Sequence, residues 1–303
     1  MSYLPDDITF IDHARVHFSH TLVPGLFRSL GPGDRNRLKL DVGYGDEGQR
    51  IEFKGFEPLG PIDLKVLQAL VALSGPHGNE LIELPINDAS RPAEAFRQLY
   101  GPDRGSHREP GDRPHAAIVK ATLRKIARLV GLGEDGASLK RIRKSIERMC
   151  CVLILFEKDT KSFITHFMTQ YSSDTKSGEF RVVLNPVLSE VFLDSSRYAR
   201  LNLEDVKALK SDPATLVYFN LCGRIDCGKS LAIGLEKLMR YIWPDDARTE
   251  TTFRRRKQAL LVALHEIEGL GWGVVQQRAG VWKITRPALI EGTAPAPPVL
   301  DAV

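Results

Sequence analysis

The clearest pattern of apolar and polar positions runs from Thr249 to Pro287. Phe253, Leu260, Leu264 and Ile267 recur at helical spacing and predict a long helix with one apolar stripe. Thr251, Arg255, Gln258 and Val262 fall on the opposite side, with Arg254, Arg256 and Lys257 on the flanks of its first half. Gly269 and Gly271 are placed to stop that helix. Trp272 to Gln277 and Val281 to Thr285 then alternate like strands across Arg278-Ala279-Gly280, which predicts a hairpin. A basic helix followed directly by a two-stranded ribbon has the order of a recognition helix and its wing in a winged helix.

A similar order occurs about a hundred residues earlier. The spacing predicts a helix over Ala116 to Val130, with Ile118, Leu123, Ile126 and Leu129 inward, then a turn at Gly131-Leu132-Gly133. A second helix is expected from about Ser138 to Cys150, with Leu139, Ile142, Ile146 and Met149 as its stripe and Lys140, Arg141, Lys144 and Arg148 opposite. Val152 to Lys158 and Phe163 to Thr169 would pair as a hairpin across residues 159–162. The repeat is one of architecture, because the residues themselves match poorly.

Around these units, Arg37 to Tyr44 and Arg50 to Lys54 predict a hairpin with its turn at residues 45–48. Pro61 to Ser74 predicts a helix with almost no polar face, hence buried. Glu80 to Ile86 reads as a strand, Pro92 to Tyr100 as a short helix, and Gly101 to His115 as a loop. Ser172 to Gly178 reads as a linker, Arg181 to Leu184 as a strand and Pro186 to Leu193 as a helix start. Helices are expected at Leu203 to Leu209, at Pro213 to Cys222 behind Ser211-Asp212-Pro213, and at Ser230 to Trp243 before Pro244. The expectation is an α+β chain of two tandem winged-helix domains: residues 1–172, residues 173–288, and a disordered tail over 289–303.

Composition narrows the function. The chain has 303 residues, 43% hydrophobic and 26% charged, which fits a globular protein of two domains. Its net charge of +4 is modest, but the cations gather at residues 120–148 and again at 248–257, which suggests two contacts with one polyanion. Cys150 and Cys151 are adjacent, and Cys222 and Cys227 lack a second pair at zinc spacing, so no metal site or other cofactor is expected. Neither a signal peptide nor an apolar span of membrane length is read, so the expected setting is the reduced cytoplasm, away from membranes.

One motif points elsewhere. Gly223 to Ser230 fits G-x-x-x-x-G-K-[ST], the phosphate-cradling loop of nucleotide hydrolases. Such a loop follows a buried strand and opens a helix, whereas Ser211-Asp212-Pro213 caps a helix leading into this one. Leu216, Phe219 and Asn220 also keep helical spacing. The segment is read as a glycine turn between two helices, and the chain as no enzyme. His265 beside Glu266 is read as a surface pair.

The ordered strings of this sequence resemble the RepC-type replication initiators of broad-host-range IncQ plasmids. They are Pro24-Gly25-Leu26-Phe27-Arg28, Lys39-Leu40-Asp41-Val42, Arg50-Ile51-Glu52-Phe53 and Glu57-Pro58-Leu59-Gly60. They resume at Leu221-Cys222-Gly223, Ile225-Asp226, Gly228-Lys229, Trp243-Pro244, Leu270-Gly271-Trp272 and Ile284-Thr285-Arg286-Pro287. The chain departs from the pattern at Gly101 to His115 and in its longer tail. The resemblance implies two winged-helix domains and binding to iterons, the repeated double-stranded sites of a plasmid origin. It also implies origin opening, recruitment of a plasmid-encoded helicase, and a primase partner, and it allows a homodimer. Initiators of this kind carry the G-x-x-x-x-G-K element yet leave ATP hydrolysis to a separate helicase.

The candidate DNA-binding residues on the second unit are Arg248, Thr251, Thr252, Arg254, Arg255 and Gln258, with Arg278 and Lys283 on its wing. On the first unit they are Lys140, Arg141, Lys144 and Arg148, with Lys161 on the expected wing. Arginine forks to guanine and glutamine to adenine, whereas lysine suits phosphate. The second unit is therefore expected to read sequence and the first to supply general affinity. A winged-helix transcriptional repressor, a P-loop ATPase using Gly223 to Ser230, and a winged-helix protein-interaction module are the rival readings.

Overall fold

A computed structural model describes residues 13–17, 23–46, 49–73, 118–158, 161–174, 176–184 and 198–288. The expected strand at Glu80 to Ile86, the helices at Pro92 to Tyr100 and Pro186 to Leu193, the loop at Gly101 to His115 and the C-terminal tail lie outside the described residues. The fold is mixed α and β, with antiparallel pairing throughout its strand ladders. In chain order the strands are β1 (His13–His17), β2 (Leu40–Asp46), β3 (Gln49–Gly55), β4 (Ile118–Thr122), β5 (Leu153–Lys158) and β6 (Lys161–His166). They continue with β7 (Met168–Ser173), β8 (Glu179–Leu184), β9 (Tyr198–Asn202), β10 (Ser230–Gly234), β11 (Gly273–Arg278) and β12 (Val281–Thr285). The helices are α1 (Asp34–Arg37), α2 (Pro61–Leu73), α3 (Leu123–Val130), α4 (Gly136–Cys150), α5 (Leu203–Ala208), α6 (Asp212–Cys222), α7 (Leu235–Arg240) and α8 (Glu250–Glu268).

The internal repeat is a six-element unit present twice. The order α2, β4, α3, α4, β7, β8 recurs as α6, β10, α7, α8, β11, β12. Each copy closes a three-stranded sheet in the same order, β4-β8-β7 and β10-β12-β11. Two sequence expectations are corrected here. Ala116 to Val130 is not one helix: Val119 and Ala121 point inward while Lys120 is exposed, and this alternation makes β4 before α3 begins. Ser230 to Trp243 likewise divides at Gly234 into β10 and α7. In both cases a strand that forms only by pairing far along the chain adjoins a short helix, and the two apolar periods blur into one.

The hairpin expected as the wing of the first unit exists as β5 and β6, but it serves a different sheet. β5 pairs with β3, giving the order β2-β3-β5-β6. The ribbon that completes the first unit is β7–β8, and Ser172 to Gly178, expected as a linker, is the end of β7 and the turn of that ribbon. Asp174 holds the turn by accepting from Lys176 N–H at 2.8 Å and Ser177 hydroxyl at 3.1 Å.

The two units share one core. α2 is buried along nearly its whole length and packs against α3, α4, α5, α6 and β1. Lys65 on α2 donates to the carbonyl of Leu209 at 3.4 Å, and burial pulls its amine below the ordinary lysine range despite Asp212 and Glu266 nearby. The segment from Val23 to Ser29 straps the second unit to the stretch before α2, where Arg28 N–H donates to the carbonyl of Leu59 at 3.0 Å. Phe27 meets Phe219 edge to face at 5.9 Å, Ser29 N–H donates to Ile242 at 2.8 Å, and Arg28 pairs with Asp245. Gly25 is required in the strap. Its φ is 85°, and a Cβ there would stand 3.2 Å from Pro244 and 3.3 Å from Val42. No helix among the described residues is long and apolar enough to cross a membrane.

Candidate nucleic-acid interface

The second unit is organised by α8. Thr249 caps it, accepting from Thr252 N–H at 3.2 Å, and its hydroxyl also donates to the Thr252 hydroxyl at 2.9 Å. Thr252 is therefore part of the cap, partly covered, rather than a free reader. Leu260, Ala263, Leu264 and Ile267 form the buried stripe against α6 and α7, so the opposite face is fixed outward. That face carries Thr251, Arg255 and Gln258, all exposed, and Arg248 is exposed just ahead of the cap. Arg254 is also exposed and meets Glu250 at 2.9 Å, a solvent-screened pair that a phosphate or base would displace at little cost. Arg256 faces differently: it donates to the Asp245 carbonyl at 2.6 Å and lies 5.4 Å over the Trp243 ring, bracing the loop that leads into the helix.

Behind α8, Glu266 fixes the helix against α6. It accepts from Lys210 N–H at 2.8 Å and Ser211 N–H at 3.1 Å. Burial works to raise its pKa, but the bonds from Ser211 and Lys210 outweigh that and hold the carboxyl below its ordinary range. The expected surface pair with His265 is thus replaced, since His265 meets Glu268 at 3.3 Å instead.

The β11–β12 ribbon follows at once. Val274 opposite Ile284 faces the core, while Val275 opposite Lys283 faces outward. Arg278 and Lys283 are both exposed, and a register shift between Gln276 and Arg278 bends the tip. At its base, Arg286 forks onto the carbonyls of Cys222 and Ile225, at 3.0 Å each, and lies 5.6 Å over Trp272. This fork clamps Gly223 to Ser230. Gly228 N–H donates back to the carbonyls of Arg286 at 3.1 Å and Pro287 at 3.2 Å, and Lys229 N–H to Asp226 at 3.0 Å. The segment follows a helix and opens a strand, the reverse of the phosphate-loop context, and these N–H groups are already used. It is a turn, between a helix and a strand rather than between two helices.

In the first unit Asp135 caps α4, accepting from Ala137 N–H at 2.9 Å and Ser138 N–H at 3.0 Å. Ile142, Ile146 and Met149 are buried, and Lys140, Arg141 and Lys144 are exposed. Arg148 departs from the expectation. Its side chain is 11% exposed and donates to Asp63 at 2.5 Å and Glu57 at 2.8 Å. Asp63 is fully buried and also accepts from Gly60 N–H at 2.7 Å, Ser145 hydroxyl at 2.7 Å and Arg35 at 3.1 Å. Arg148 is a core ion pair joining α4 to α2, because a buried carboxylate needs a cation. Lys161 opens β6, on the four-stranded sheet and not on the ribbon of the first repeat.

The structure therefore gathers Thr251, Arg254, Arg255 and Gln258 on one helix, with Arg248 just ahead of its cap and Arg278 and Lys283 on the ribbon after it. Lys140, Arg141 and Lys144 form a second exposed set, on a helix packed against α2 and α3 rather than against α8's partners. Sequence reasoning passed over exposed cations on α7, Lys237 and Arg240, because that stretch was read as the middle of a longer helix.

The profile of the family described as Replication protein C (RepC) matches residues 9–288. No curated protein sequence matches. Among solved structures, domains 2 and 3 of RctB are similar with a TM-score of 0.52 and 15% identity, over 87% of this chain and 95% of that one. A second structure of RctB domains 2–3 gives a TM-score of 0.51 and 13% identity, over 82% and 91%. The Pi initiator protein in complex with iteron DNA gives 0.43 and 11%, over 55% and 79%. At these identities the two RctB structures speak for the fold alone, and it is the family match, spanning nearly the whole chain, that shows this protein to belong to the replication protein C (RepC) family.

Proposed function

We propose that the chain is a plasmid replication initiator that binds iterons, repeated double-stranded DNA sites, through two winged-helix units. The first unit would run from α2 to β8 and the second from α6 to β12, so the boundary falls after residue 184 rather than at 172. The observation that carries the reading is the outward face of α8, where Thr251, Arg255 and Gln258 project from a capped helix directly ahead of a cationic ribbon. These are side chains able to tell base edges apart in a major groove. α4 offers Lys140, Arg141 and Lys144, which suit phosphates, so it adds affinity with less discrimination. Arg278 and Lys283, on the ribbon, meet the flanking backbone. Both helices enter successive major grooves on one face of a single iteron. Bound arrays strain an adjacent A+T-rich segment, and the helicase and primase are recruited there, steps that rest on family membership rather than on any residue described above. Such work on plasmid DNA is done in the cytoplasm.

The test is a gel-shift comparison of iteron duplex with scrambled duplex. Arg255→Ala is expected to cost about 1–3 kcal/mol on the iteron and relax preference at one base pair, with little effect on scrambled DNA. Equal loss on both duplexes would remove α8 from the reading role.

A further inference from the structure

Thr251, Arg255 and Gln258 all stand on the first half of α8, and that half is held lightly. The fully buried residues of the helix begin at Leu260, and none of residues 250–259 is buried. Phe253 is half-buried, and Thr249 caps the helix. The other anchor is Arg256, which donates to the Asp245 carbonyl at 2.6 Å and lies 5.4 Å over the Trp243 ring. Consecutive helical residues stand about 100° apart, so fixing Arg256 sets the rotation of this half and with it the aim of Arg255. Asp245 is in turn held from its other side. Its exposed carboxylate pairs with the guanidinium of Arg28, whose side chain is 16% exposed. Asp34 also lies in the field of Arg28, but Gly31 N–H and Arg37 occupy it, at 2.7 Å each. Arg28 belongs to the strap, where its own N–H donates to Leu59 and the N–H of Ser29 to Ile242. Asp245 therefore joins two lines of contact, its side chain to the strap and its carbonyl to α8.

We propose that Arg28 and Asp245 are positioning residues for iteron reading. Through the loop that Arg256 grips, the pair aims the first half of α8 and ties that aim to the strap and the stretch before α2. Their effect on DNA rests on the reading role given to α8 above; their hold on the helix does not. A side chain reads a base edge only when held to a fraction of an ångström and some 10–20°. A half-helix with no buried side chain gets little of that precision from the core, so the Asp245 link supplies it. Charge alone predicts something different. Asp245 is a carboxylate near a face meant for a polyanion, and its removal would by charge tighten binding to any duplex, whereas removal of Arg28 would weaken it. Positioning predicts the same loss from either change, and only on the iteron.

The experiment measures the affinity of the full chain for iteron and scrambled duplex, and amide hydrogen exchange without DNA. Asp245→Asn alters an exposed side chain and keeps the carbonyl that Arg256 uses, so the fold survives it. Asp245→Asn and Arg28→Met should each weaken iteron binding about fivefold, the upper end for an ion pair partly open to water, and leave scrambled duplex unchanged. The double variant should lose no more than either single one, because the two side chains act as a unit. Asp245→Glu keeps the charge pair and should keep the preference. In the DNA-free chain both single variants should quicken exchange over residues 253–257 about fivefold and leave residues 260–267 as they are. The proposal is overturned if Asp245→Asn binds both duplexes as tightly as the unaltered chain or more so, or if the loss falls equally on both. It is also overturned if the single losses add, or if Asp245→Glu loses as much as Asp245→Asn. An unaltered chain without preference for the iteron would defeat the reading role of α8 instead. Exchange would then still decide the hold of Arg28 on the helix, and unchanged exchange over residues 253–257 in both variants would overturn it.

Discussion

Arg148→Ala and Lys144→Ala should separate a core cation from one proposed to meet DNA on the same helix. Arg148 is 11% exposed on its side chain and supplies one of four donors to Asp63, at 2.5 Å. Removing one partner of a buried ion pair costs about 3–5 kcal/mol, because the remaining charge loses its compensation. Here Asp63 keeps Gly60 N–H and Ser145 at 2.7 Å each, and Arg35 at 3.1 Å. Arg35 is 29% exposed and so a weaker substitute, which brings the expected loss to about 2–3 kcal/mol. For a chain of this size that lowers Tm by roughly 4–10 °C. Thermal unfolding followed by far-UV circular dichroism reads this directly, and DNA titrations at two salt concentrations read the rest. Arg148→Ala should leave the salt slope of binding unchanged wherever the variant is folded. Lys144→Ala should leave Tm unchanged and make the slope shallower by about one. A Tm of Arg148→Ala equal to that of the unaltered chain, together with a shallower slope, would refute the assignment of Arg148 to the core.

Glu266→Ala should destabilise the chain by about 1 kcal/mol after solvent screening, since Lys210 and Ser211 N–H lose their acceptor. The folded-state pKa of Glu266 is depressed, so this contribution is present above the unfolded value of about 4.3 and lost as pH falls through the folded one. Urea unfolding at pH 7 should separate the two proteins and at pH 3 bring them together; a gap that widens in acid would reverse the sign. Lys229→Ala should bind iteron duplex as the unaltered chain does, and neither should turn over ATP. ATP turnover that disappears in Lys229→Ala would restore the nucleotide reading of Gly223 to Ser230.

What the sequence disclosed follows the range of the interactions. α8 and its ribbon were legible because the stripe, the Thr249 cap, the stop near Gly269 and the strand alternation are all local. β4 and β10 were not, because each exists by pairing with a strand about fifty or more residues later, while its own residues run directly into a helix. The β5–β6 hairpin was visible as a hairpin, but its alliance with β3, made a hundred residues earlier, was not. Arg148 misled for the same reason. Its charge is in the sequence of α4, and the carboxylate that claims it is on α2, 85 positions away. Arg286 shows the converse: it stood within a string resembling the RepC-type initiators, and only the fold shows that it clamps the turn at Gly223 to Ser230.

The salt dependence of iteron affinity tests the central claim, that two helical faces grip one DNA. The exposed cations on α4 are Lys140, Arg141 and Lys144, and those on and around α8 are Arg248, Arg254, Arg255, Arg278 and Lys283. If each neutralises one phosphate, log affinity against log salt should fall with a slope of about −7, at roughly 0.9 counterions released per contact. Reversing α4 with Lys140→Glu, Arg141→Glu and Lys144→Glu should bring the slope to about −4 or shallower while preference for the iteron over scrambled duplex survives. A slope near −3 for the unaltered chain, untouched by the α4 reversals, would mean that a single face binds and would contradict the account.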